Sequence, residues 1–134
     1  MHQILYTSKA TSPFSDDQLK ELLELARSRN SLKSITGMLL YCNSHFVQLL
    51  EGQESDLSTL FAIISADRRH EDVEKVLMSE IAAPQFPDWS MGYQFLSKQQ
   101  LKNIEEIENV DIASYIRQAK PFKLLKLLST KFWT

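Results

Sequence analysis

Residues 35–52 read ITGMLLYCNSHFVQLLEG, and the way they divide decides the fold. Two runs of strand formers, residues 35–42 and 45–52, flank Asn43-Ser44, a workable two-residue hairpin turn, so they are expected to pair antiparallel. Period-two alternation sets Phe46, Gln48 and Leu50 on one face. The same reading assigns Val47, Leu49, Leu5 and Leu39 to the other face. Gln48 is the irregularity, because a buried amide needs partners for two donors and one acceptor.

Working outward, HQILYTSK at residues 2–9 is a first strand with Ile4, Tyr6 and Ser8 on one face. Ser15 and Gln18 stand at capping-box spacing, acids follow in the first turn, and Leu19, Leu22, Leu23 and Ala26 recur at helical intervals, predicting a helix that ends near Arg29-Asn30. Beyond the hairpin, Leu57, Leu60, Phe61 and Ile64 fall at i, i+3, i+4 and i+7, predicting a second amphipathic helix that stops near Asp67. Residues 73–81 read as a strand. WSMGYQFL, after Pro84 and Pro87, reads as a further short strand, which brings Trp89 and Met91 near Gln48 if it lies beside the third.

The order βαββαββ implies an α+β ferredoxin-like sheet with both helices on one face. Residues 1–97 form that core. Residues 98–134 read as helices broken at Pro121, whose stripe Ile112, Ile116, Leu124, Leu125 and Leu128 suits a cap over the second face.

One domain fits 134 residues, and 43% hydrophobic with 24% charged residues is a globular composition. A net charge of −2 argues against direct nucleic-acid binding, although the balance is uneven: residues 111–134 hold five Lys and Arg against one acid. The single Cys42 excludes an internal disulfide, the N-terminus has no leader pattern, and no apolar run is long enough to span a bilayer, so a cytoplasmic, soluble protein is expected. Catalytic motifs are absent, and three glycines leave little room for a phosphate loop. No metal site is expected: His2, His45 and His70 each read as surface residues rather than ligands. DRRH at 67–70 is by default a solvated helix end, with anion recognition as the sharper alternative. Gln48 and Tyr6 fit either a polar core network or a pocket between the helices whose occupant also reaches Asn30.

Five segments together, ILYTS at 4–8, ARSRNSLKSITGMLLY at 26–41, HFVQLLEG at 45–52, DRRH at 67–70 and FPDWSM at 86–91, resemble the BLUF domain, a flavin-binding blue-light sensor module. The resemblance covers residues 1–97 and is specific because the segments agree in order and spacing. It implies a non-covalent flavin between the two helices, FAD in most members, with FMN and riboflavin as alternatives. Tyr6 is implied as the donor of an electron and a proton, and Gln48 as the amide whose rearrangement after that transfer changes its hydrogen bonds. Asn30 is implied at the polar edge of the ring, Leu22 and Ile64 at its two faces, Asp67 and His70 toward the ribityl-phosphate part, and Trp89 and Met91 as the signal relay. An amide suits such a switch because its two ends are chemically opposite and sterically alike.

This chain departs from some relatives at Arg29, where a second asparagine precedes Asn30, and at Ile63, where an arginine stands. The resemblance implies a photoreceptor rather than an enzyme, signalling through a homo-oligomer or a separate downstream protein. A phosphate-cleaving ferredoxin-like hydrolase is disfavoured, since YTSKATSPF offers neither Arg nor Gly for a phosphate cradle. A light-independent interaction module is the remaining alternative, and the joint presence of Tyr6, Gln48 and Asn30 argues against it.

Overall fold

The computed structural model describes residues 1–96 apart from Asn43, Gln85 and Trp89, and does not describe the side chains of Gln94 and Leu96. The expected cap over 98–134 and the expected role of Trp89 lie outside the described residues.

Seven elements follow in order: β1 (His2–Ala10), α1 (Asp16–Leu32), β2 (Thr36–Cys42), β3 (His45–Gly52), α2 (Glu54–Ala66), β4 (His70–Glu80) and β5 (Gly92–Leu96). They build a five-stranded sheet in the order β4-β1-β3-β2-β5. The first four strands are antiparallel neighbours, and β5 runs parallel to β2. The expected ferredoxin-like α+β architecture is thus present, with both helices on one face. Leu19, Leu23 and Ala26 of α1, with Leu57 and Leu60 of α2, share a core with Ile4, Tyr6, Phe46 and Leu50.

Helix α1 begins where the sequence places it. Ser15 Oγ accepts from the Gln18 N–H at 3.1 Å, and Gln18 Oε1 accepts from the Ser15 N–H at 2.8 Å, closing the capping box. It runs two residues past Asn30 and stops where Ser34 turns left-handed at φ 54°, letting the Ile35 N–H reach back to the Asn30 carbonyl.

The two-residue turn pairs Cys42 with His45, and counting back along the ladder sets Leu39 opposite Gln48. Leu39 therefore lies on the helix face, not on the second face with Val47 and Leu49. The alternation holds within each strand, but the pairing across the hairpin sets Leu39 on the same face as Gln48. Leu5, Val47 and Leu49 do share the second face, joined by Met38 and Leu40, and all five are buried. His45 is also buried there, so it is not a surface residue. Close approach dictates Gly37: a Cβ at that position would fall on the Leu49 carbonyl oxygen of the neighbouring strand.

The last strand starts later than its sequence pattern suggests and in a different place. Met91 precedes β5 rather than lying within it, and β5 pairs with β2, not β3. Strand β4 covers β1 with two register breaks, one of them beside Asp72, whose φ of 51° is left-handed. Among the described residues, no helix is long and apolar enough to cross a membrane.

Candidate functional site

Between α1 and α2, above the middle of the sheet, lies a cleft lined by Tyr6, Leu22, Leu39, Gln48, Ile63 and Ile64, with Phe14 and Phe46 at one side and Arg29, Asp67, Arg69 and His70 supplying polar groups. Counting the space open to solvent at its mouth, it encloses about 540 Å³. The register explains the floor: Tyr6, Gln48 and Leu39 stand in one row across β1, β3 and β2.

Six expected binding residues, Tyr6, Leu22, Gln48, Ile64, Asp67 and His70, converge here. Asn30 does not line the cleft. It is fully buried behind Arg29, donating from Nδ2 to the Ser90 carbonyl at 2.8 Å. Phe14, Arg29, Leu39, Phe46, Ile63 and Arg69 line the cleft without having been singled out as binding residues. Signals existed for three of them. Arg29 stands seven residues after Leu22, on the same face of α1; Phe46 shares the parity of Gln48; and Ile63 adjoins Ile64. Phe14 sits in a loop with no periodicity to reveal it.

At the centre, the Tyr6 hydroxyl donates to Gln48 Oε1. The other end of the amide, Nε2, donates to Met91 Sδ at 3.6 Å. Met91 is itself buried. Burial pushes the Tyr6 phenol well above its ordinary range, the Arg29 cation pulls it back, and the Asp67 carboxylate adds to the rise. The phenol is therefore held protonated. Phe61 meets the Tyr6 ring edge-on at 5.5 Å and fixes its plane.

Desolvation lowers the pKa of Arg29, and its buried Nε has no hydrogen-bond partner among the described residues. Asp67 accepts from Arg69 Nη2 at 2.6 Å, which holds its carboxyl below the usual range. His70 is fixed at both nitrogens: Nε2 meets the Ile64 carbonyl and Nδ1 lies 2.9 Å from Ser8 Oγ. A carbonyl only accepts, so Nε2 carries a proton and, in the neutral ring, Nδ1 accepts from Ser8. No three His, Cys, Asp or Glu side chains converge on a metal position among the described residues.

Apolar side walls over a hydrogen-bonded phenol and amide make this a cleft suited to a flat, partly polar small molecule. The chain belongs to the BLUF family, described as sensors of blue light using FAD, whose pattern matches residues 1–92. The photoactivated adenylate cyclase subunit beta of Euglena longa is 40% identical over 89 residues, 66% of this chain but 10% of that protein. The blue light- and temperature-regulated antirepressor BluF of Escherichia coli (strain K12) is 31% identical over 83 residues, 62% of this chain and 21% of its own length. The chain thus spans only a small part of these curated relatives. Among solved structures, the dark state of BlrB, a BLUF protein, superposes with TM-score 0.79 at 29% identity, covering 98% of this chain and 96% of that one. The photo-activated state of BlsA gives 0.83 at 25% identity, covering 99% and 97%.

The residues present fit a flavin. Arg29, which lines the cleft, carries a buried Nε donor that has no hydrogen-bond partner among the described residues. The pyrimidine edge of an isoalloxazine offers carbonyl acceptors, the complement of that donor.

Proposed function

We propose that this protein is a blue-light photoreceptor in which Tyr6 is the redox partner of a non-covalent FAD and the Gln48 amide is the switch. Leu22 and Ile64 would hold the two faces of the ring, Arg29 its polar edge, and Asp67 and His70 the ribityl side. Bound there, the flavin supplies absorption of blue light and, when excited, a strong oxidant.

The observation that carries this reading is the placement of one amide between two side-chain ends, with Oε1 on the Tyr6 hydroxyl and Nε2 on the Met91 sulfur. With a flavin bound, Tyr6 would give it an electron and pass its proton to the same acceptor by way of the Gln48 amide, so that the amide itself stays neutral. The amide then turns or tautomerises, exchanging its donor and acceptor ends without any change of charge. A carboxylate at this position has no such pair of ends. The electron and proton would return to Tyr6 while the amide keeps its new arrangement, and in darkness the amide reverts and the original hydrogen bonds re-form.

The altered amide acts next on Met91, and through it on β5. Photoactivated cyclase subunits and an antirepressor among the relatives support an output through a further protein or an assembly.

Purified protein is expected to be yellow and to shift its flavin absorption reversibly to the red under blue light. Tyr6→Phe should bind flavin and lose that shift. Colourless protein that takes up no added flavin, or a normal photocycle in Tyr6→Phe, would overturn the assignment.

A further inference from the structure

The connection between β4 and β5 is gripped from both faces of the sheet. On the second face, Glu51 Oε1 accepts from the Phe86 N–H at 3.0 Å. On the helix face α1 donates twice: Asn30 to the Ser90 carbonyl at 2.8 Å, and Arg27 Nε to the Met91 carbonyl at 3.0 Å. The Arg27 guanidinium also lies over the Tyr93 ring, 5.3 Å from its centroid. Arg27 and Asn30 are three residues apart on one side of α1, whereas Leu22 and Arg29 project into the cleft.

Met91 is therefore held at two points, its sulfur by Gln48 and its carbonyl by Arg27. The next residue opens β5, a five-residue strand that among the described residues lies at the edge of the sheet and pairs with β2 alone. Its pairing is parallel, the slightly weaker kind. A change at Met91 thus acts directly on a lightly held strand.

We infer that Arg27 is a positioning residue, a latch that fixes Met91 and the start of β5 against α1 in darkness and is released when Gln48 turns. Reversal of the amide presents a carbonyl to the Met91 sulfur in place of an N–H, so the side-chain hold is lost. The main-chain hold is then the remaining one, and it is a charge-assisted bond from a guanidinium also stacked on Tyr93, so its loss frees both residues together. The trigger rests on the photoreceptor reading, whereas the latch rests on the contacts of Arg27 itself.

Hydrogen exchange of the amides of residues 92–96 tests this on the full chain loaded with FAD, in darkness and under blue light, with absorption recorded in parallel. In the native protein light should speed exchange in β5. In Arg27→Ala dark exchange should already be raised by about tenfold, with no further rise in light, while the absorption shift stays intact. Arg27→Lys, which keeps a cation for Tyr93 but not the planar fork, should restore part of the light-dark difference. If Arg27 only stabilises the fold, exchange rises equally in darkness and light and the ratio is unchanged, which overturns the latch. Should Arg27→Ala not fold, Arg27→Lys decides alone: a narrowed ratio supports the latch and an unchanged one overturns it. Native protein with no red shift overturns the photoreceptor reading and the trigger with it; a native shift with an unaltered ratio in the variants overturns the latch only.

Discussion

The two faces of β3 are equally buried and differently finished. On one, Glu51 is fully buried and spends its carboxylate on the Phe86 main-chain N–H and the Thr36 hydroxyl. On the other, Gln48 spends its amide on a phenol and a thioether. Main-chain partners within a folded connection do not move independently, so Glu51 works as a fastener. Side-chain ends can rearrange independently of the main chain, which is what the proposed exchange of partners at Gln48 requires. Burial alone does not separate a structural polar group from a switching one; the identity of its partners does.

Substitutions on the two faces should therefore divide cleanly between stability and photochemistry. The largest stability effect is expected outside both residues, at Gly37→Ala, where the added methyl meets the Leu49 carbonyl and forces the hairpin apart. It should cost several kcal/mol, about 3 or more, and be seen as insoluble protein or a collapsed urea midpoint. Glu51→Ala leaves buried partners unsatisfied and should cost about 1–3 kcal/mol in urea unfolding. The flavin shift should remain. Met91→Leu conserves volume and should cost under about 1.5 kcal/mol, yet it removes the sulfur that holds one end of the amide, so the dark-recovery rate should change. The smallest effect is a pH slope. The buried Tyr6 phenol resists ionisation while the unfolded one ionises near its ordinary value of 10.0, so its contribution is complete below that value and is lost as pH rises above it. Thermal melts above pH 10 should fall more steeply for the native protein than for Tyr6→Phe.

Much of this arrangement was legible in the sequence. The capping box at Ser15 and Gln18, the helical spacing of Leu57, Leu60 and Ile64, and the alternation around Gln48 are local patterns, and local geometry obeyed them. Two features required knowledge of neighbours. Leu39 changed faces because parity passes through the turn, and a single-strand reading does not carry it. Strand β5 lies beside β2 in parallel because the chain crosses over to the far edge of the sheet, a choice that a five-residue apolar run does not encode. The cleft followed the same division: Tyr6, Gln48 and Leu22 announce themselves by type and spacing, whereas Phe14 becomes part of the wall only through its packing on Phe46 at 5.2 Å.

The central claim is that the Gln48 amide, and not merely a filled cleft, makes the protein respond to light. Absorption spectra of the native protein and Gln48→Ala, each loaded with FAD and recorded before, during and after blue light, test it most directly. The native spectrum should move to the red and return in darkness, and the variant should stay yellow with no such movement. A reversible red shift of native size in Gln48→Ala would contradict the account.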